Sequence, residues 1–131
     1  VIYLDSSAIL KLVRAEEHSA ALAAWLTDRP DVPLVSSALA PVEVLRSCRR
    51  IDPRLGEQGR AVLAVLDLVP LDDHVLTAAA ELPEPSLRSL DALHLASALA
   101  LDPDLETFVA YDARLLEAAA AAGLDVSQPG A

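Results

Sequence analysis

Four carboxylates occupy positions where acid chemistry can be assembled. Asp5 follows the apolar run Val1–Leu4, and Asp112 follows the run Thr107–Tyr111. Glu43 lies within Pro41-Val42-Glu43-Val44-Leu45, and Asp91 within Ser89-Leu90-Asp91-Ala92-Leu93-His94. Taken singly, each has an ordinary role. Asp112 suits a helix N-cap, Asp5 can cap the first helix, Asp91 favours a first-turn dipole, and Glu43 can pair with Arg46 or face water. Taken together they point further, because an unpaired carboxylate at the start of an apolar helix carries a heavy desolvation cost. Four such groups in one place cannot all stay ionised without a cation, and hard oxygen donors select Mg²⁺ or Mn²⁺.

The elements that must position these acids can be read from the pattern. Val1–Leu4 predicts a strand, and Asp5-Ser6-Ser7 the start of a helix through Val13. Ser19–Thr27 predicts a second helix, with Leu22, Trp25 and Leu26 on one face. Pro33-Leu34-Val35 leads into a second strand, and Ser36-Ser37 are expected to cap a helix running to Arg50, with Pro41 tolerated in its first turn. After the break at Asp52-Pro53, Arg54–Leu66 is expected to be helical. Leu68-Val69-Pro70 reads as a third strand, Asp72-Asp73 introduces a helix, and Ser89–Leu101 is the most apolar helix of all. Thr107–Tyr111 is a fourth strand. Asp112 opens a last helix that Gly123 ends in a left-handed cap, and Leu124-Asp125-Val126 can add an edge strand. Short strands joined through helices need crossover connections, so the expected architecture is α/β, with a mostly parallel sheet of four to five strands covered on both faces. In such a sheet ligands gather beyond the carboxyl ends of the strands, where Asp5 and Asp112 fall.

Composition narrows the functional classes. The chain has 131 residues, one domain's worth, and at 53% hydrophobic it is not a disordered chain. Twenty acidic residues against ten basic ones give a net charge of −10, which disfavours a phosphate-binding surface spread over the whole molecule. Acidity does not exclude nucleic acid, since a metal ion supplies positive charge locally. One cysteine, Cys48, rules out an intrachain disulfide and a Cys-rich zinc site, and a reducing compartment follows as the default. The opening residues show no signal-peptide pattern and no stretch is long and apolar enough for a membrane span, so a cytoplasmic protein is expected.

Val1-Ile2-Tyr3-Leu4-Asp5-Ser6-Ser7-Ala8-Ile9-Leu10-Lys11-Leu12, Glu43 in its helix, Ser89-Leu90-Asp91-Ala92-Leu93-His94-Leu95-Ala96-Ser97-Ala98 and Val109-Ala110-Tyr111-Asp112-Ala113-Arg114-Leu115 together resemble the PIN domain. More narrowly, they resemble the VapC toxins of bacterial toxin–antitoxin pairs. The resemblance covers essentially residues 1–131. It implies a single PIN-like domain, a Mg²⁺- or Mn²⁺-dependent ribonuclease, and a metal-binding catalytic cluster of Asp5, Glu43, Asp91 and Asp112. It also implies a VapB-type antitoxin as inhibitor, a homodimer, and a toxin–antitoxin hetero-oligomer. One departure stands out. The family often has Thr or Ser two residues before the last acid, where this chain has Ala110; Ser7 is the hydroxyl left to orient a carboxylate.

Arg88, Arg114 and Ser7 are the candidate substrate contacts, although a solvated role is the ordinary one for the two arginines. His18 and His74 lie in polar segments and are expected to be solvated, leaving no histidine pair for cyclisation through the ribose 2′-OH; water attack and hydrolysis are expected instead. His94, three residues after Asp91, is expected to be a structural imidazole. Tyr3 and Phe108 are expected in the core, so few aromatics remain to stack on RNA bases, and RNA affinity is expected to fall when metal is removed. Two other classes compete. A receiver-type phosphoacceptor needs a basic residue late in the chain, and the single lysine, Lys11, comes too early. A catalytically weak or inactive PIN-fold interaction module draws support from Ala110, but keeps all four acids without a use for them.

Overall fold

The computed structural model describes residues 1–131. Five strands, β1 (Ile2–Leu4), β2 (Leu34–Ser37), β3 (Asp67–Val69), β4 (Thr107–Val109) and β5 (Val126–Ser127), form one sheet in the order β3-β2-β1-β4-β5. Every neighbouring pair is parallel. Seven α-helices complete the chain: α1 (Ser6–Val13), α2 (Ser19–Thr27), α3 (Ala40–Ile51), α4 (Gly56–Ala64), α5 (Asp73–Ala80), α6 (Ser89–Leu99) and α7 (Ala113–Ala121). No helix is long and apolar enough to cross a membrane.

Alternation along the central strand divides the core. Ile2 and Leu4 point into one apolar cluster with Ile9, Leu22, Val44 and Leu63, from α1 to α4. Tyr3 points into the other, with Leu95, Phe108, Leu115 and Ala119, contributed by β4, α6 and α7. Because β1 is covered on both faces, all three of its residues are fully buried, as a parallel sheet sandwiched by helices requires. Tyr3 and Phe108 stack with their ring centroids 5.3 Å apart, confirming both as core.

Strand order runs outward from β1 through β2 to β3 on one side, then resumes at β4 on the other. The carboxyl ends of β1 and β4 therefore flank the point where the order reverses, and helices on opposite faces diverge there to leave a crevice.

Several boundaries differ from the sequence expectations. Ser36 and Ser37 do not cap a helix; they extend β2, paired with Leu68 and Val69. The strand keeps them because their hydroxyls are satisfied: Ser36 donates to the Leu4 carbonyl at 2.6 Å, and Ser37 accepts the Leu39 amide at 3.1 Å. Helix α3 starts at Ala40, with Pro41 in the first turn where a missing N–H costs nothing. Pro53–Leu55 forms a 3₁₀ turn before α4, and α6 ends two residues early, at Leu99. The edge strand forms at Val126–Ser127, beyond the expected Leu124–Val126, because after Gly123 (φ +92°) the Leu124 amide is spent on the Ala119 carbonyl at the helix end. Helix α7 does end at that left-handed glycine.

Candidate active site

Each acid is carried by a different element: Asp5 at the end of β1, Glu43 on α3, Asp91 on α6 and Asp112 at the start of α7. Asp5 ends β1 and caps α1, its Oδ1 accepting from the Ala8 amide at 2.9 Å and the Ser7 hydroxyl at 2.7 Å. Ser7 in turn accepts the Tyr111 amide at 3.0 Å, so one hydroxyl ties the end of β1 to the segment after β4. Ala110, next to Tyr111, is fully buried and has no hydroxyl to add to this link. Ser7 is therefore engaged with Asp5 and the backbone.

Glu43 sits in the first turn of α3. It pairs neither with Arg46 nor with bulk water alone: its Oε1 accepts from Ser6 at 2.7 Å and from His94 Nε2 at 2.6 Å. His94 is 1% exposed, and its Nδ1 lies 2.7 Å from the Tyr3 hydroxyl. A carboxylate at Nε2 selects that nitrogen as an N–H donor, and Nδ1 is left facing the Tyr3 hydroxyl; this assignment is inferred from the network. Ser6 completes it, 3.1 Å from Nε2. The chain Tyr3–His94–Glu43–Ser6 thus joins β1, α6, α3 and α1.

Asp91 and Asp112 form a more open half. Asp91 lies in the first turn of α6, part-buried, and Asp112 is the exposed N-cap of α7, accepting the Leu115 amide at 2.9 Å. They line a cleft of about 270 Å³ together with Arg88 and Arg114. Neither arginine comes within ion-pair distance of an acid.

The electrostatics follow this division. Burial pushes the Asp5 carboxyl up to about 6, with Asp91 adding to the rise and His94, Ser7 and Ala8 opposing it. Asp91 is also raised, by desolvation first and then by the charges of Asp112 and Glu43. Burial raises Glu43 too, but the hydrogen bonds from His94 and Ser6 outweigh it and hold the group below its ordinary value. The acids therefore feel one another, and the crevice is short of positive charge. The donor set is all oxygen and anionic, which suits a hard divalent cation, although no three His, Cys, Asp or Glu side chains converge closely enough to hold a metal ion as they stand.

Sequence reasoning found the four acids and missed the groups that hold them. Ser6 was passed over, Tyr3 was read only as core, and His94 only as structural. The i+3 spacing of His94 from Asp91 was the available signal. His18 is also corrected: it is only partly exposed, stacking on Tyr111 with centroids 5.7 Å apart. His74 is solvent-exposed as expected, and Cys48 is buried.

Comparison with known proteins agrees with this fold. The family model described as PIN domain matches residues 2–121. Ribonuclease VapC35 of Mycobacterium tuberculosis is 45% identical over 132 residues, covering 99% of this chain and 98% of the relative. Ribonuclease VapC46 of the same species is 45% identical over 128 residues, covering 98% and 97%. Among solved structures, the fold is similar to M. tuberculosis VapC20, a sarcin–ricin loop cleaving toxin, with a TM-score of 0.76 at 16% identity, covering 98% of this chain and 100% of that one. It is also similar to VapBC2 of Rickettsia felis bound to a promoter DNA fragment, with a TM-score of 0.72 at 13% identity, covering 98% and 99%.

Proposed function

The chain belongs to the PIN-domain family and, within it, to the VapC group, and from that premise we propose that it is an endoribonuclease toxin that hydrolyses RNA phosphodiester bonds and is neutralised by a VapB-type antitoxin. The observation that supports the reading is the coupling of four acids from four elements: Asp91 raises Asp5, and Asp112 and Glu43 raise Asp91, on top of the burial of each.

Asp5, Glu43, Asp91 and Asp112 would hold Mg²⁺ or Mn²⁺. When bound, such an ion supplies a nucleophilic water at neutral pH and offsets charge on the phosphate. The chain's own groups do the rest. Ser7 and the Ala8 amide fix Asp5 in one rotamer. His94 and Ser6 fix Glu43 and keep it ionised. Arg88 and Arg114 line the open cleft and would meet RNA phosphate there. With no histidine pair at the crevice, water rather than the 2′-OH is the nucleophile. A homodimer and a toxin–antitoxin hetero-oligomer are the assemblies this reading carries, and its action belongs in the cytoplasm.

Incubating the protein with end-labelled structured RNA in Mg²⁺, Mn²⁺ or EDTA, beside Asp5→Ala, tests this. Cleavage that requires the metal and Asp5 is the expected result. Intact RNA under every condition would instead favour the catalytically silent interaction module, and equal cleavage by Asp5→Ala would expose a contaminant. Coexpression with a VapB-type antitoxin should abolish cleavage and yield a co-purifying complex.

A further inference from the structure

Charge is distributed unevenly over this acidic chain. Residues 40–64 carry five arginines against three acids, whereas the remainder carries five basic residues against seventeen acids. Along α3, Val42, Arg46 and Arg49 recur at i, i+4 and i+7, one stripe of the helix. Ala40, Val44 and Cys48 take the opposite, core-facing side. Helix α4 comes close because Gly59 has no side chain: a Cβ there would lie 3.2 Å from Cys48 Sγ. That approach brings Arg60 across from Arg46 and Arg49, and the three line an open groove of about 520 Å³ that begins at Pro41 and Val42.

Arg46, Arg49 and Arg60 are all exposed, and none has a carboxylate partner. Arg54, by contrast, is spent on Asp52 at 2.7 Å. Three unpaired guanidinium groups beside one groove repel each other, and an anionic occupant relieves that repulsion. The groove shares helix α3 with Glu43, which sits in the helix's first turn, and at ~1.5 Å rise per residue Arg46 follows Glu43 by about 5 Å along the helix axis.

We propose that this α3–α4 groove is a phosphate track that grips single-stranded RNA on one side of the scissile bond. The proposal rests on the ribonuclease reading and adds a substrate subsite to it. A helical peptide needs several apolar anchors in a groove, and this one offers few, whereas guanidinium groups match phosphate. Without an aromatic side chain in its walls, the track reads backbone and is indifferent to base sequence.

The test uses full-length protein carrying Asp5→Asn, to stop cleavage, and a labelled oligouridylate of about 16 nucleotides. Affinity is measured by fluorescence anisotropy across a salt series. Replacing Arg46, Arg49 and Arg60 with Gln together is expected to flatten the slope of log affinity against log salt by about 2, since each lost phosphate contact to a single strand is worth ~0.7. Replacement with Lys should restore the slope, which also shows that the variants fold. Arg29→Gln, outside the groove and stacked on Trp25, should leave it unchanged. An unchanged slope in the triple Gln variant, or an equal change in Arg29→Gln, overturns the track. So does unimpaired RNA binding accompanied by loss of the antitoxin, which would assign the groove to an acidic polypeptide. Cleavage by the chain with native Asp5 is scored in parallel, so failure of the nuclease reading and failure of the track give different results.

Discussion

The two halves of the acid crevice are built on opposite plans. On the side of β1 and α3, Asp5 and Glu43 are held by hydroxyls, an amide and an imidazole, all from buried residues except the half-buried Ser7. On the side of α6 and α7, Asp91 and Asp112 edge an open cleft whose arginines are unengaged. The first half is fixed before anything binds. The second retains its mutual repulsion and so reserves its charge for what arrives. Rigidity and unmet charge are thus divided between neighbouring elements, in keeping with the proposed site, which would both position a cation and admit a polyanion.

The sharpest way to break this comparison is Asp5→Asn, which keeps the acceptor for Ser7 and Ala8 and removes only the charge. Cleavage should fall at least ~10³-fold. Metal-free stability should change oppositely. A carboxyl raised from 3.8 to about 6 in the folded state holds its proton more tightly there than when unfolded. The native protein's stability relative to Asp5→Asn is therefore greatest below pH 4 and is lost as pH rises to and past 6. The difference approaches about 3 kcal/mol, at ~1.4 kcal/mol per unit. Thermal melts in EDTA at pH 4 and pH 8 measure it; a stability difference between the two proteins that is the same at both pH values would mean that Asp5 carries no buried-charge penalty.

His94→Ala probes the fixed half next. It removes a buried ring and leaves the Tyr3 hydroxyl without its partner, costing about 2–4 kcal/mol by urea unfolding. Glu43 keeps only Ser6, so cleavage at saturating Mg²⁺ should drop by about 10–100-fold and the Mg²⁺ requirement should rise. His94→Gln, able to donate to Glu43, should recover part of the activity. If rescue follows stability alone, His94 acts only as packing.

The smallest effects belong to the open half. Arg88→Ala and Arg114→Ala should shift stability by no more than ~0.5 kcal/mol, both residues being exposed. They should raise the RNA KM several-fold while leaving kcat nearly unchanged. A fall in kcat at constant KM would place either arginine at the reacting phosphate and erase the proposed division.

What could be read in advance follows the same boundary between local and tertiary causes. The acids were legible because each sits at a local signal: Asp5 and Asp112 after apolar runs, Asp91 in a first turn. Helix α2 was legible to the residue, from Ser19 to Thr27, because its boundaries are set locally. Ser36 and Ser37 were misread because two serines before an apolar helix have the local signature of a cap, while their actual partners, the Leu4 carbonyl and β3, come from elsewhere in the fold. The imidazole link failed for the same reason: His94 meets Glu43 across 51 positions of sequence and Tyr3 across 91, separations that no periodicity encodes.

The three-residue strand β1 supports more than its length suggests. Tyr3 anchors the imidazole on one face, Leu4 receives the Ser36 hydroxyl through its carbonyl, and Asp5 follows at once. Because side chains alternate with a period of two, one extra amino acid between Tyr3 and Asp5 would put successive groups out of phase with both apolar layers. A library of single-codon insertions should therefore show a gap of complete intolerance at this segment, narrower and deeper than any around the surface loops, even where every individual replacement is survivable.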